Sequence, residues 1–197
     1  MPHDHDDDPD HEHEHDDAFT EQEARLRRRV ALAQIRQYGD PALRMRANEV
    51  ESFDDDLRRL VERMTALMHD ADGVGLAATQ IGVLQRVFVF VSDDEALVLV
   101  NPVIAERGKD ADVDEEGCLS LGQAEVRVPV ERHVTVTIEG ADVTGDPVRL
   151  EVEGLSARVA QHELDHLDGV LIIDRTDPAS RRAALAELRP QPVLGAR

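Results

Sequence analysis

Between Val87 and Val152 the chain is laid out in short β-branched runs, and on either side of that stretch apolar residues recur at helical spacing. This change of period constrains the fold more than any other feature. Val87-Phe88-Val89-Phe90-Val91 and Leu97-Val98-Leu99-Val100 are continuously apolar, which predicts strands buried on both faces. Val126-Arg127-Val128 and Val134–Ile138 alternate instead, which suits a half-exposed antiparallel sheet, and Gly145-Asp146-Pro147 turns into a further strand at Val148–Val152. Upstream, Leu57, Leu60, Val61, Met64, Leu67 and Met68 mark a core-forming helix from Asp54 to about Ala71, with Ser52 or Asp54 as its cap. Downstream, Leu155–Leu167 reads as a helix stopped by Gly169, and Ala179–Leu188 as a last short one. Strands outnumber helices and their connections are short. The expected class is α+β, with antiparallel β-sheets packed around a central α-helix.

That central helix carries Gln161-His162-Glu163-Leu164-Asp165-His166. Histidines four apart project from one helical face, about 6 Å between side-chain bases, and can share one metal ion. Glu163 is offset by one residue, where a general base for metal-activated water sits. Taken alone, either histidine reads equally as a hydrogen-bonded core residue, and Cys118 as a small buried hydrophobe. Together they form a His/His/Cys set with a fourth position left for water, and the thiolate favours softer divalent ions. Two other readings share these residues. A zinc endopeptidase of the His-Glu-x-x-His type takes a third His or Glu downstream, yet only 31 residues follow His166 and none is His. A non-catalytic metal-binding protein would have no need of Glu163 or Gln80.

The length of 197 residues suits one domain with a tail. Net charge is −20, and nine of the acids lie in residues 3–17 with His3, His5, His11, His13 and His15 between them. This composition predicts a disordered acidic His-rich tail over residues 1–17, a helical extension over 18–34 and a catalytic domain over 35–197. The body is acidic too, which excludes a broad nucleic-acid surface. A single cysteine rules out an internal disulfide and fits a reducing cytosol. No apolar run is long enough to span a membrane, so a cytoplasmic enzyme is expected. Gly73–Gly82 has small residues that would let a backbone approach a ligand, but not the spacing of a phosphate loop.

Three segments carry a family resemblance. Gly73-Val74-Gly75-Leu76-Ala77-Ala78-Thr79-Gln80, Glu116-Gly117-Cys118-Leu119-Ser120 and Gln161–Gly169 resemble, in order, the three signature motifs of the peptide deformylases, within a likeness running from about Ile35 to Asp174. The resemblance implies hydrolysis of the N-formyl group from formyl-methionyl nascent peptides. It makes Cys118, His162 and His166 the metal ligands and Glu163 the acid/base. The Gln80 amide and the Leu119 backbone N–H become oxyanion donors, each worth roughly 2.7–4 kcal/mol of barrier. Gly75 would hydrogen-bond the peptide backbone, Val74 would line a methionine pocket with Leu155 and Val159, and Glu116 and Gly117 would complete the substrate-binding set. The implied ion is Fe²⁺, with Zn²⁺, Ni²⁺ or Co²⁺ as substitutes, although the donors alone suit zinc as well. The implied place of encounter is the ribosome near the peptide exit, with Arg181-Arg182 on the last helix as the contact. Two positions depart from the family pattern. Leu121-Gly122 replaces a residue followed by proline, and Val130 stands where an arginine is common, with Arg127 or Arg132 as its possible substitute.

Overall fold

The computed structural model describes residues 10–121 and 126–188, with side chains from residue 21 onward. The helices are α1 (Asp10–Leu32), α2 (Asp55–Asp70), α3 (Gly154–Leu167) and α4 (Pro178–Glu187). The strands are β1 (Gly75–Ala77), β2 (Val87–Ser92), β3 (Glu95–Arg107), β4 (Ala111–Gly117), β5 (Arg127–His133), β6 (Thr135–Ala141) and β7 (Pro147–Glu153). An antiparallel sheet runs in the order β1-β2-β3-β6-β7, and β4 pairs with β5 in a second, two-stranded sheet. The expected α+β class, with antiparallel sheets around a central helix, is what the chain adopts.

The sequence of β2 lacks alternation because both its faces are covered. Val87 and Val89 point into a cluster with Met64, Leu67 and Met68 of α2, while Phe88 and Phe90 point into a cluster with Ala157, Ala160 and Leu164 of α3. Phe88 and Phe90 meet edge to face at 5.4 Å, a geometry that adds about 0.5–1.5 kcal/mol to their burial. A third cluster joins Val128 and Val130 of β5 to Leu171, Ile173 and Ala184, so α3 has the large sheet on one side and the small sheet on another. Helix α2 is capped by Asp54, whose carboxylate accepts from the N–H of Asp56 and Leu57, so Ser52 is not the cap.

Helix α3 ends as expected at Gly169, and the geometry is a Schellman motif. Val170 N–H donates to Asp165 O, Gly169 N–H donates to His166 O, and Gly169 has φ +74°. A Cβ there would lie 2.7 Å from Arg44 O, so glycine is required twice over.

Strand β3 continues past the apolar run through Asn101-Pro102, with a register shift between Val100 and Val103, and the Asn101 amide pairs with both backbone groups of Val50. Within the small-residue segment Gly73–Gly82, Gly75–Ala77 forms a short strand. Strand β4 was missed because its only inward side chain is an acid, Glu116, so it shows no apolar period. Helix α1 runs Asp10–Leu32 and so spans residue 17. Propagating a helix costs less than nucleating one, and acids near its N-terminus suit the macrodipole. Residues 1–9, and with them the start of the expected tail, lie outside the described residues.

Candidate metal centre

Two elements bring Cys118, His162 and His166 together. The cysteine follows the end of β4 and the histidines lie one turn apart on α3, and their ligand atoms all fall within 4.8 Å of one another. Cys118 Sγ is 3.2 Å from His166 Nε2, which is 3.2 Å from His162 Nε2. Three lone-pair donors facing each other at this range repel unless a cation lies among them, so the donor set fits a divalent ion. The cleft opens beside Cys118 and His162.

A buried charge network fixes the first histidine. His162 Nδ1–H donates to Glu116 at 3.0 Å, which leaves Nε2 as the ligand atom. Arg132 grips Glu116 with both arms, at 2.9 and 3.0 Å, and Arg158 adds a bond at 2.9 Å. Arg132 also reaches Asp165 at 2.6 Å, and Arg175 holds the same carboxylate. Burial alone would raise the Glu116 carboxyl, but His162 and Arg132 reverse this and hold it at about 2. Burial likewise opposes charge on His162, yet bonds to Cys118 and Glu116 lift its pKa well above the ordinary value. His166 is driven well below by burial and by His162. Before metal binds, any imidazolium charge therefore belongs to His162.

Glu163 stands apart from this network. It is 3% exposed and its Oε2 has no hydrogen-bond partner among the described residues. Burial is the main reason its carboxyl rises to about 7; His162 pulls it down, and Glu116 pushes it further up. A carboxylate near 7 is suited to exchanging a proton with water at neutral pH.

The expected oxyanion donors flank the triad. Ala77 N–H can only donate, so the oxygen of the Gln80 amide must face it, at 2.8 Å. The NH₂ group is thereby turned toward Ser120 Oγ at 3.3 Å and Cys118 Sγ at 3.8 Å. Leu119 opens a short 3₁₀ turn directly after Cys118. The segment before Tyr38 ties both donors down: Arg36 N–H donates to Gln80 O at 2.7 Å, the Gln37 side chain to Leu119 O at 3.1 Å, and Tyr38 N–H to Ser120 O at 2.9 Å.

The cleft has a volume of about 690 Å³. Val74, Gly75, Leu119, Leu155 and Val159 line it, with His162 and Glu163 also on its wall. Gly117 lines it too, opposite Arg127 in the β4–β5 register. Glu116 lines the cleft as well, with its carboxylate held by His162, Arg132 and Arg158. Of the two candidate arginines, Arg132 is the buried partner of Glu116, while Arg127 lines the cleft. Val130 is fully buried, and its carbonyl accepts from Arg158. The other departure, Gly122, lies outside the described residues. Helix α1 is more than an exposed extension, because Arg28 and Leu32 line the cleft and Arg28 pairs with Asp72 at 3.3 Å.

Sequence reasoning missed Gln37, Arg158, Asp165 and Arg175. For Arg158 and Asp165 a signal existed: they are charged residues at helical spacing from His162 in a helix whose neighbouring positions are apolar. Gln37 had no such signal, because its contact is 82 residues away in sequence.

A helix-borne His-Glu-x-x-His pair joined by a cysteine sulfur from the segment that follows β4, at the wall of a peptide-sized cleft, defines a metal-dependent hydrolase centre. Residues 32–182 match the sequence model of the polypeptide deformylase family, and the chain belongs to that family. A peptide deformylase of Thermotoga sp. (strain RQ2) is 48% identical over 147 residues, spanning 75% of this chain and 88% of that protein. Peptide deformylase 1 of Corynebacterium glutamicum is 45% identical over 164 residues, spanning 81% and 96%. The crystal structure of a peptide deformylase from Legionella pneumophila superposes with a TM-score of 0.73 at 39% identity, covering 78% of this chain and 91% of that one. The family removes N-formyl groups from nascent peptides in a metal-dependent reaction.

Proposed function

We propose that this chain hydrolyses the formyl amide of formyl-methionyl peptides at the Cys118/His162/His166 centre, with Glu163 as the proton carrier. The observation that carries this reading is the buried, unpartnered Glu163 Oε2 beside three converging metal donors. A divalent ion held there supplies the Lewis acidity that makes water a nucleophile near neutral pH. Glu163 takes the proton lost by the attacking water and returns it to the amine nitrogen as the C–N bond breaks, leaving formate and a free N-terminus. The Gln80 NH₂ group and the Leu119 N–H donate to the developing oxyanion. Gly75 offers its backbone to the peptide, and Val74, Leu155 and Val159 take the methionine side chain.

The ion we assign is Fe²⁺, with Zn²⁺, Ni²⁺ and Co²⁺ as substitutes. We assign the catalytic unit to residues 35–197, the cytoplasm as its location and the ribosome near the peptide exit as its meeting place with substrate. No helix among the described residues is long and apolar enough to cross a membrane. The test is formate release from formyl-Met-Ala-Ser by anaerobically purified, iron-loaded protein, with metal content measured on the same sample. Absence of formate from fully loaded protein refutes the reading. Glu163→Ala should retain metal and lose turnover, and deletion of residues 1–17 should leave turnover intact.

A further inference from the structure

We propose that a second cavity, lying along another stripe of α3, binds a small multivalent oxyanion of phosphate chemistry. Its volume is about 420 Å³, and Gln161, Leu164, Asp165 and Asp168 of α3 form one wall. Five arginines line it: Arg46, Arg86, Arg107, Arg132 and Arg175. The lining carboxylates number three, Glu131, Asp165 and Asp168, in a chain where acids outnumber bases 42 to 22. The cavity therefore reverses the charge balance of the molecule. Its buried arginines are satisfied: Arg132 lies on Glu116 and Asp165, and Arg86 on Asp168 at 2.7 Å. The excess is at the mouth. Arg107, in the last position of β3, has no ion pair among the described residues, and Arg46 reaches only 3.7 Å from the Asp168 oxygen that Arg86 already holds. Guanidinium forks suit phosphate oxygens, and low-dielectric walls concentrate their field. A small anion fits this setting better than an extended polyanion, which a net charge of −20 repels.

The test is calorimetric titration of the metal-loaded full chain with inorganic phosphate and with pyrophosphate, at constant ionic strength set with chloride. One saturable site is expected, tighter for pyrophosphate. Arg107→Ala and Arg46→Ala should each weaken it by roughly tenfold or more, with formate release unchanged in Arg107→Ala. Arg59→Ala removes the same charge from α2 and should leave binding as it was. Three results overturn the proposal: no saturable binding in the millimolar range, equal weakening by Arg59→Ala, or binding that survives the Arg46→Ala/Arg107→Ala pair.

Discussion

Gly75 and Glu163 approach so closely that one methyl group would set them in conflict: a Cβ on Gly75 would lie 2.9 Å from Glu163 Cδ and 2.7 Å from Val159 Cγ1. The glycine is needed for space rather than for backbone conformation, since β1 is ordinary extended strand. Gly75→Ala should push the carboxylate off its position without touching Cys118, His162 or His166. The expected result is a fall in kcat of about a hundredfold or more, the range general acid–base catalysis supplies, with bound metal unchanged. Formate release alongside metal analysis checks both parts.

Glu116 is the hinge of the buried charge network, and its removal strands His162, Arg132 and Arg158 together. Glu116→Ala should destabilise the fold by about 3–5 kcal/mol, the cost of breaking a buried pair from one side. Metal affinity should drop by about 10- to 100-fold as His162 loses its orientation. Denaturant unfolding and competition with a chelator measure the two effects. Unchanged affinity in a folded variant would mean that the Glu116 bond does not orient the ligand.

The raised Glu163 carboxyl gives a stability signature in metal-free protein. Its folded pKa of about 7 exceeds the ordinary 4.5, so between those values the folded chain binds more protons than the unfolded one. The stability this contributes is fully present below 4.5 and is lost as pH rises through 7. Glu163→Gln, neutral at every pH, should therefore gain on the natural chain as pH rises from 4.5 to 8, by an amount on the order of 3 kcal/mol. Urea unfolding of both metal-free proteins across that range gives the comparison. A gap that stays constant with pH would show that Glu163 titrates normally.

What the sequence could reveal follows from the range of each interaction. The ligand pair, its glutamate and Gly169 are local: they sit within one helix and its cap, where spacing translates directly into geometry. Buried strands β2 and β6 announced themselves through apolar residues. Strand β4 could not, because it contributes an acid to the interior and pairs through backbone groups that every residue shares. The partners of Glu116 were harder to see: Arg158 is marked only by its helical spacing from His162, and Arg132 reaches Glu116 across 16 residues with nothing local to mark it. Long-range polar contacts leave no period.

Gln37 is the sharpest case of such a contact and yields the last prediction. Its amide donates to Leu119 O at 3.1 Å, while its neighbours Arg36 and Tyr38 hold Gln80 O and Ser120 O through their backbone N–H groups. The neighbours' bonds survive any side-chain substitution, so the effect of Gln37 on Leu119 can be isolated. Gln37→Leu should let the Leu119 peptide plane rotate and move its N–H away from the oxyanion. Because that donor matters only once charge develops, kcat should fall by about tenfold to a hundredfold, with KM and metal content nearly unchanged. Gln37→Glu offers no proton to Leu119 O at neutral pH and should show the same loss. Steady-state formate release with formyl-Met-Ala-Ser separates kcat from KM. A rise in KM alone would mean that Gln37 shapes the cleft and leaves the donor where it is.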